Sequence, residues 1–314
     1  MMEENDKRAH DSRIFFYRSI KQIVIITAVA IFFKSCIVDS VVIKGCQMTP
    51  TLVYGDRTLI FRLPYLSLFT TIFKPSLAKP VVFDLPFEKN RRASLRIAGL
   101  WGDTVSIDSG VIINSRIPQF QFSGKEKGGL IVPATFSPRD FFPEYCIPKK
   151  GTSFLFDSLS LRDFFFAVNV VRQENKKSKI SIKAALYVDD SLSNDYNINE
   201  FALYKGTIDT IPVKYQFDWF FWDRLNQYLD ATVDEHTVAL KFSLYVDNVK
   251  MSRYSVQKKY VFLLADNWSD GLDSRYIGPV QVSSLVGRVF FVLWSYDNKG
   301  QKHLKTNRFG RIIR

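Results

Sequence analysis

The sequence has 314 residues and carries 43 Lys and Arg side chains against 31 Asp and Glu, which gives a net charge of +12. Apolar residues make up 46% of the chain and aromatic residues 15%, so a large buried core is possible and a globally disordered protein is excluded. The basic charge is dispersed and forms no Lys/Arg run interleaved with aromatic residues, so nucleic acid is not predicted as a partner.

The first predicted element is a membrane anchor. Residues 1–22 form a polar tail, and the apolar run IVIITAVAIFF follows from Ile23 to Phe33. This run is shorter than the ~20 apolar residues of a usual transmembrane helix. The long side chains of Lys21 and Lys34 can reach the membrane surface and so lengthen the usable segment. We therefore predict a transmembrane helix over 23–38 that could extend toward residue 15.

The alternative to an anchor is a cleaved signal peptide, but no small-x-small cleavage site follows Phe33. The positive-inside rule places the tail in the cytoplasm and the rest of the chain on the outer side of the membrane. The basic residues that support this orientation are Lys7, Arg8, Arg13, Arg18 and Lys21.

The next stretch, Val41 to Asp56, reads VVIKGCQMTPTLVYGD and predicts a strand, a turn and a second strand. Further strands are predicted at Arg57 to Leu63 and at Val81 to Phe83. Between these two strands lies LPYLSLFTTIFKP, from Leu63 to Pro75. This apolar segment is predicted to join the core or, as the family resemblance given below implies, to dip into the bilayer surface, and the sequence favours neither.

Two later stretches have equally clear patterns. Arg92 to Asn114 contains a hairpin with strands at Thr104 to Ile107 and Val111 to Ile113. Tyr260 to Asp297 contains ADNWSDGLDSRYIGPV and then a Gly-Arg pair that leads into a final apolar strand.

Residues 115–255 carry the weakest pattern in the chain. The segments KISIKAALYVDD and HTVALKFSLYVDN predict two strands that are similar enough to suggest a duplicated strand and turn. Trp219 to Leu229 has helical spacing of its large apolar residues, and a core role is favoured over a docking site.

The three patterned stretches together resemble the bacterial type I signal peptidases, also called leader peptidases. In that family a serine directly precedes Met-x-Pro-Thr-Leu, a lysine precedes an arginine, and Asp-Ser-Arg-Tyr follows Gly-Asp-Asn. Here Gln47 stands at the serine position and Leu95 at the lysine position. Gly45 stands at the oxyanion position, and Gly271 at the serine that helps to place the lysine.

The resemblance implies a mostly β, Ser/Lys protease fold. It consists of an N-terminal transmembrane helix, an antiparallel β-sheet core over 39–114 and 256–314, and an inserted second β domain over 115–255. Met48 and Pro50 are implied to contact a bound peptide. Arg96 is implied to pair with Asp266, and Asp273 with Arg275, beside Asn267, as braces of the sheet.

The implied chemistry needs a buried, neutral lysine that takes the proton of the serine hydroxyl as the oxygen attacks a peptide carbonyl. The amide of Gln47 is no practical nucleophile, and the hydrocarbon of Leu95 cannot accept a proton. Cys46, assisted by Lys44, is an alternative nucleophile. The alternation of an extended chain, however, turns Cys46 away from the neighbouring position.

Other chemistry has little support in the sequence. His10, His236 and His303 are scattered, so a conventional triad is not expected. Cys36, Cys46 and Cys146 are too few for a disulfide framework or a metal site, although a Cys46–Cys146 bridge stays open. No cofactor and no metal are predicted.

These observations lead to the hypothesis of a membrane-anchored, catalytically inactive signal peptidase-like protein that binds extended peptides or exported proteins. One alternative is an active signal peptidase with non-standard catalytic residues, and another is a structural envelope protein. The expected partners are membrane lipid, signal peptides or exported proteins, and an active signal peptidase. The expected location is the bacterial cytoplasmic membrane, with a single span and the body outside.

Overall fold

The structure is a computed structural model. The structure describes residues 2–32, 34, 37–62, 65, 74–113, 138–232, 236–268, 271–297 and 303–313. For residues 2–15 it describes only the backbone.

The described elements are mainly strands. The helices are α1 (Met2–Phe32), α2 (Leu161–Glu174), α3 (Trp219–Thr232) and the single turn α4 (Ser274–Ile277). The strands are β1 (Val38–Val42), β2 (Asp56–Phe61), β3 (Pro80–Asp84), β4 (Arg92–Leu100), β5 (Thr104–Asp108), β6 (Val111–Ile113), β7 (Phe142–Cys146), β8 (Ser153–Leu155), β9 (Ile180–Val188), β10 (Ser191–Leu192), β11 (Val238–Val246), β12 (Val249–Met251), β13 (Arg253–Ser255), β14 (Tyr260–Leu264), β15 (Val280–Gln281), β16 (Leu285–Asp297) and β17 (His303–Leu304).

The main sheet is antiparallel and has the strand order β1-β2-β16-β3-β4-β14-β15, with β17 added to β16. The long strand β16 makes this order possible because it pairs with β3 near its start and with β2 along the rest of its length. Strand β1 pairs with β2 and lies at one edge of the sheet. The prediction of a mostly β, antiparallel core is confirmed.

The N-terminal helix differs from the prediction. Helix α1 begins at Met2, so the segment predicted as a polar tail is helical, and β1 already begins at Val38, the last residue of the predicted anchor. Within the described part of the chain, no helix has both the length and the apolarity that a membrane span requires. The predicted transmembrane helix is therefore not confirmed.

The main sheet buries both of its faces. On strand β3, Val81 and Phe83 point to one face and Val82 points to the other, as the period of a pleated strand requires. The Leu95 cluster on the first face consists of Tyr65, Val81, Phe83, Leu95, Ile97, Val261, Leu263, Ala265, Val280, Val282 and Leu285. The Met48 cluster on the second face consists of Ile43, Met48, Leu52, Ile60, Val82, Val286, Val289, Val292 and Ile313.

The segment from Leu63 to Pro75 is described only at Tyr65, Lys74 and Pro75. Tyr65 is buried in the Leu95 cluster, and this burial raises the pKa of its hydroxyl to about 12. The rest of the segment lies outside the described residues, as does Cys36.

The inserted region, expected to be a second β domain, contains the two long helices α2 and α3 as well as the strands β7 to β13. The two long helices α2 and α3 pack against each other and share one aromatic core with strands β4 and β14. Helix α2 escaped prediction because its buried residues from Phe164 to Val171 follow one another without a break, and such a run cannot be assigned to helix or strand by periodicity alone.

The suspected duplication is a real structural feature. Strands β9 and β11 pair along nine residues, and Ala184 lies opposite Phe242 at the centre of the pair. Each strand ends in a two-residue turn with positive φ at both positions, Asp189-Asp190 and Asp247-Asn248. An approximate two-fold axis through the central pair therefore relates the two strands and their turns.

Candidate functional site

The candidate site is built on the loop between β1 and β2, called the box loop here, which spans residues 43–55. Backbone hydrogen bonds close its base, because Ile43 donates to the carbonyl of Asp56 at 2.9 Å and Gly55 donates to that of Ile43 at 3.0 Å. Met48 is only 1% exposed and packs in the Met48 cluster, so its side chain belongs chiefly to the core. Pro50, the other predicted peptide contact, is exposed.

One buried ion pair ties the box loop to the rest of the sheet. Arg96 donates from Nε and Nη2 to the two carboxylate oxygens of Asp266 at 2.7 and 2.6 Å, and both side chains are 2% exposed. The same guanidinium donates to the carbonyl of Ala78 at 2.7 Å and to Oγ1 of Thr51 at 3.4 Å. Arg96 therefore joins β4, the end of β14 and the box loop.

A second buried ion pair was not foreseen from the sequence. Arg308 donates from Nε to Asp56 at 2.8 Å, and its Nη2 donates to the carbonyl of Thr51 at 2.9 Å. Thr51 is thus held by two guanidinium groups, Arg96 and Arg308. No motif pointed to Arg308, because it lies 252 residues from Asp56 in the sequence.

Asp273 and Arg275 brace the segment that follows β14. The Arg275 side chain donates to Asp273 at 2.9 and 2.7 Å, and neither side chain is exposed. Asp273 also accepts a hydrogen bond from the backbone N–H of Ala265 at 2.9 Å and caps helix α4. Residues 265–273 are therefore fixed at both ends.

Gln47 lies in the box loop against this braced segment. Its backbone carbonyl accepts a hydrogen bond from the N–H of Asn267 at 2.9 Å, and the side-chain amide of Asn267 donates to the carbonyl of Cys46 at 3.4 Å. The carboxamide of Gln47 folds back over Gly45, where its Oε1 occupies the place that a Cβ at Gly45 would need. The side chain of Gln47 thus excludes a side chain at position 45.

Gly271 is sterically coupled to Ala265. A Cβ at Gly271 would collide with the Cβ of Ala265 and would lie 2.6 Å from the carbonyl oxygen of Asn267. A serine at position 271 therefore does not fit beside Ala265. The sequence analysis missed this role of Ala265, although the family pattern has glycine directly before the Asp-Asn pair.

Leu95 is buried in the Leu95 cluster, opposite Val81 on the neighbouring strand and in the same cluster as Ala265. Ala265 and Asn267 therefore connect the positions singled out from the sequence. Asn267 is hydrogen-bonded to Gln47. Ala265 lies in the same apolar cluster as Leu95 and directly beside Gly271. Neither the amide of Gln47 nor the hydrocarbon of Leu95 can transfer a proton in this arrangement.

The alternative nucleophile has little structural support. Cys46 and Cys146 are both exposed thiols and are not bridged to each other. Lys44, whose ammonium was expected to assist the thiolate, is also exposed, so solvent and salt screen its charge. Among the described residues, no group of three or more His, Cys, Asp or Glu side chains is arranged to hold a metal ion.

A groove of about 1180 Å³ runs beside the box loop and is referred to as the groove below. Three segments line it: the edge strand β1 with residues 43–48, the hairpin between β3 and β4, and part of the inserted region. Gly45 and Gln47 face it, whereas the buried Leu95 is not among its lining residues.

Comparison with known proteins agrees with the sequence patterns. Residues 16–141 and 179–294 match the family model described as signal peptidase, peptidase S26, and these ranges make up more than half of the chain. Over 53 residues the chain is 38% identical to mitochondrial inner membrane protease subunit 1 of Mus musculus, which covers 17% of this chain and 32% of that protein. The chain therefore spans about a third of the length of this curated relative.

Among solved structures, a signal peptidase I from Enterococcus faecalis matches with 15% identity and a TM-score of 0.23, over 69% of this chain and 97% of that one. The family match includes the box loop, Leu95 and the segment around Asp266. On the strength of that match, this chain belongs to the signal peptidase family, peptidase S26.

Proposed function

We propose that this protein binds extended peptides in its groove and does not cleave them. The observation that carries the proposal is the position of Gln47, whose carboxamide lies over Gly45. A peptide carbonyl bound for attack needs a nucleophile on one side and hydrogen-bond donors toward its oxygen. Here Gly45 has no side-chain donor, Oε1 of Gln47 takes the place where a side chain at Gly45 would begin, and the nucleophile position offers an amide.

The buried environment of Leu95 supports the same proposal. A lysine buried there would lose its charge through desolvation and could act as a base, but leucine has no group that titrates. Losing members of a catalytic unit costs about 10⁶ in rate in the best-studied serine protease. An activity reduced that far would be of no use for processing secreted proteins.

Binding without cleavage is supported by the edge strand. Strand β1 pairs with β2 on one side, and its residues from Ser40 to Val42 line the groove. An unpaired strand edge can accept an extended peptide as an added strand, with backbone hydrogen bonds supplying the affinity. Signal peptides or the mature parts of exported proteins are the occupants that we propose, and an active signal peptidase is a proposed partner.

The N-terminal helix supports a membrane location. The apolar side chains of α1 between Ile23 and Phe32, among them Val24, Ile26 and Ile31, are exposed along the helix. Exposed apolar surface of this kind is favourable in lipid and costly in water. We propose that α1 contacts lipid, with its basic N-terminal part in the cytoplasm and the β-sheet body on the outer side of the membrane.

The cleavage question can be tested with the full-length protein and a fluorescently labelled preprotein. We expect saturable binding and no product. The variant Cys46→Ala controls for a thiol reaction. Turnover that disappears when Gln47 is changed to Ala, or Leu95 to Ala, would refute the proposal, and turnover lost only in Cys46→Ala would assign the reaction to the thiol.

The binding mode can be tested by modifying the peptide and leaving the protein unchanged. Peptides that are N-methylated at alternate residues lose one set of backbone donors but keep their side chains. If β1 receives the peptide as a strand, N-methylation in one of the two registers should weaken binding at least about tenfold, and the other register should bind as the parent peptide does. Equal binding of both registers and the parent would argue against strand addition.

A further inference from the structure

The groove carries an excess of positive charge that the protein does not neutralise. It is lined by six Lys and Arg side chains and by two carboxylates, Asp84 and Glu88. Both carboxylates are already engaged, because Arg92 donates to Asp84 at 3.0 Å and Arg91 pairs with Glu88. Within the described part of the chain, four cations of the groove have no acidic partner: Lys44, Lys89, Arg172 and Lys176.

Arg172 is the most strongly positioned of these cations. Its guanidinium lies between the rings of Phe87, from the β3–β4 hairpin, and Phe217, from the inserted region, at 3.9 and 3.8 Å from their centroids. Nη1 donates to Oδ1 of Asn169 at 3.1 Å. Aromatic rings on both faces restrict the guanidinium to one plane, so its remaining N–H groups can donate only along the edge of that plane.

The environment of Arg172 suits an anion. Burial lowers the pKa of the Arg172 guanidinium to about 10, so it remains protonated at neutral pH. A half-buried cation held flat between rings is already ordered for a bidentate contact with a planar carboxylate. A carboxylate bound there would also restore the electrostatic energy that burial takes from the charge.

We propose that the occupant of the groove is an extended peptide with acidic side chains, one of which binds the in-plane edge of Arg172. This inference rests on the proposed peptide-binding function and specifies the class of peptide. The four unpaired cations are distributed over the three segments that line the groove, which fits several side-chain carboxylates better than a single C-terminal one. Lys44 lies beside the end of β1, so the same peptide can pair with the strand and place a carboxylate near this lysine.

The test measures the affinity of the full-length protein for labelled eight-residue peptides by fluorescence anisotropy. All peptides are acetylated and amidated, so that only side chains carry charge. One peptide has Asp and Glu at alternate positions, and its partner has Asn and Gln there, which preserves shape and removes charge. We expect the acidic peptide to bind at least about tenfold more tightly, with a difference that shrinks as salt is raised.

The matched variants are Arg172→Gln and Arg224→Gln. Arg224 also lies over an aromatic ring, that of Phe220 at 5.8 Å, but it is not among the groove residues. Only Arg172→Gln should remove most of the preference for the acidic peptide. Arg172→Lys keeps the charge but lacks the planar guanidinium, so it should retain part of the preference at low salt. The melting temperatures of both Arg172 variants show whether the groove stays folded.

The outcomes separate this inference from the function on which it rests. Equal affinity for the acidic and the amide peptide overturns the acidic specificity and leaves peptide binding intact. A full preference in a folded Arg172→Gln protein overturns the assignment of Arg172 as the ligand of a peptide carboxylate. If neither peptide binds, both proposals fail. A peptide with a free C-terminus that binds tightly only in its non-amidated form would show that a terminal carboxylate is the ligand, which also contradicts the inference.

Discussion

At the scale of single residues, the candidate site contains side chains that fit one another and do not fit the family's catalytic set. Gln47 uses the space that the missing side chain at Gly45 leaves open. Ala265 likewise uses the space beside Gly271. Adding a side chain at Gly45 or at Gly271 alone would therefore create a steric conflict, with Gln47 in the first case and with Ala265 in the second.

The first prediction concerns this coupling. Gly271→Ser should lower the free energy of unfolding by about 1–3 kcal/mol, because the new Cβ collides with the Cβ of Ala265. Adding Ala265→Gly should recover part of the loss, so the double variant should be less destabilised than the sum of the single ones. Urea unfolding of the parent protein, the two single variants and the double variant gives the coupling energy between positions 265 and 271.

Gly271→Ala serves as the control for this experiment, because it adds the Cβ without the hydroxyl. It should cost about as much as Gly271→Ser if the collision is the cause. Strict additivity of Ala265→Gly and Gly271→Ser would show that the two positions do not share space.

The second prediction compares a buried with an exposed ion pair. Arg96→Met leaves Asp266 charged and buried, and should cost about 3–5 kcal/mol of unfolding free energy. Arg92→Met breaks the pair with Asp84, whose side chains are 44% and 58% exposed, and should cost at most about 1 kcal/mol. Urea denaturation curves of both variants measure the difference, and similar losses would contradict the assignment of Arg96 as a brace.

At the scale of secondary structure elements, the two-fold relation of β9 and β11 extends to the residues that hold the turns. The backbone N–H of Thr237 donates to Asp189 at 2.9 Å, and that of Lys179 donates to Asp247 at 2.8 Å. Each Lys of one strand also lies over a Tyr of the other, Lys183 with Tyr245 and Lys241 with Tyr187. The similarity of the two segments thus reflects a repeated set of contacts.

The third prediction follows from these turn carboxylates. Backbone hydrogen bonds, from Thr237 to Asp189 and from Lys179 to Asp247, lower the pKa of both groups. A lowered pKa in the folded state adds stability above the unfolded value of about 3.9, and this stability is lost as the pH falls through the folded value. Asp189→Asn with Asp247→Asn should therefore flatten the dependence of melting temperature on pH below about 4.

Asp190→Asn provides the control, since it removes one negative charge from the same turn as Asp189. Melting temperatures between pH 2.5 and 6 distinguish the two cases. If Asp190→Asn flattens the profile as strongly as Asp189→Asn alone, which removes the same single charge, net charge and not the turn hydrogen bonds is responsible.

At the scale of the whole molecule, the inserted region and the main sheet share one aromatic core. Phe166 of α2 is fully buried, and its ring lies 5.1 Å from that of Tyr145 and 6.0 Å from that of Trp219. The same core includes Tyr260 and Phe262 of β14. The inserted region and strand β14 of the main sheet are therefore packed into the same core.

The fourth prediction is that the two regions unfold together. Phe166→Ala should lower the unfolding free energy by about 3–5 kcal/mol and shift a single transition. Fluorine labels on Trp222, in the inserted region, and on Trp294, in the main sheet, should report the same midpoint in denaturant. Two separate midpoints in the parent protein would show that the cores are independent.

Sequence patterns were reliable where a short segment carries its own signal. Strand β3 is a short continuous apolar run, and strands β9 and β11 are rich in apolar residues that partly alternate with polar ones. The hairpin of β5 and β6 is closed by Ser109 and Gly110, which both have positive φ. Helix α2 and the ion pair between Arg308 and Asp56 could not be foreseen in this way. The first contains an unbroken run of buried residues that periodicity alone does not assign, and the second joins residues 252 positions apart in the chain.

The amino-acid sequence alone determined the family, because the spacing of its motifs can be compared without coordinates. It also determined that Gln47, Leu95 and Gly271 stand at the family's site positions, and the chemistry of an amide or a hydrocarbon follows from the residue type. Only the tertiary structure decided that Gln47 covers Gly45, that Ala265 excludes a side chain at Gly271, and that Phe87 and Phe217 enclose Arg172 in the groove. Each of these depends on close packing between segments distant in sequence, and such contacts exist only once the whole sheet has folded.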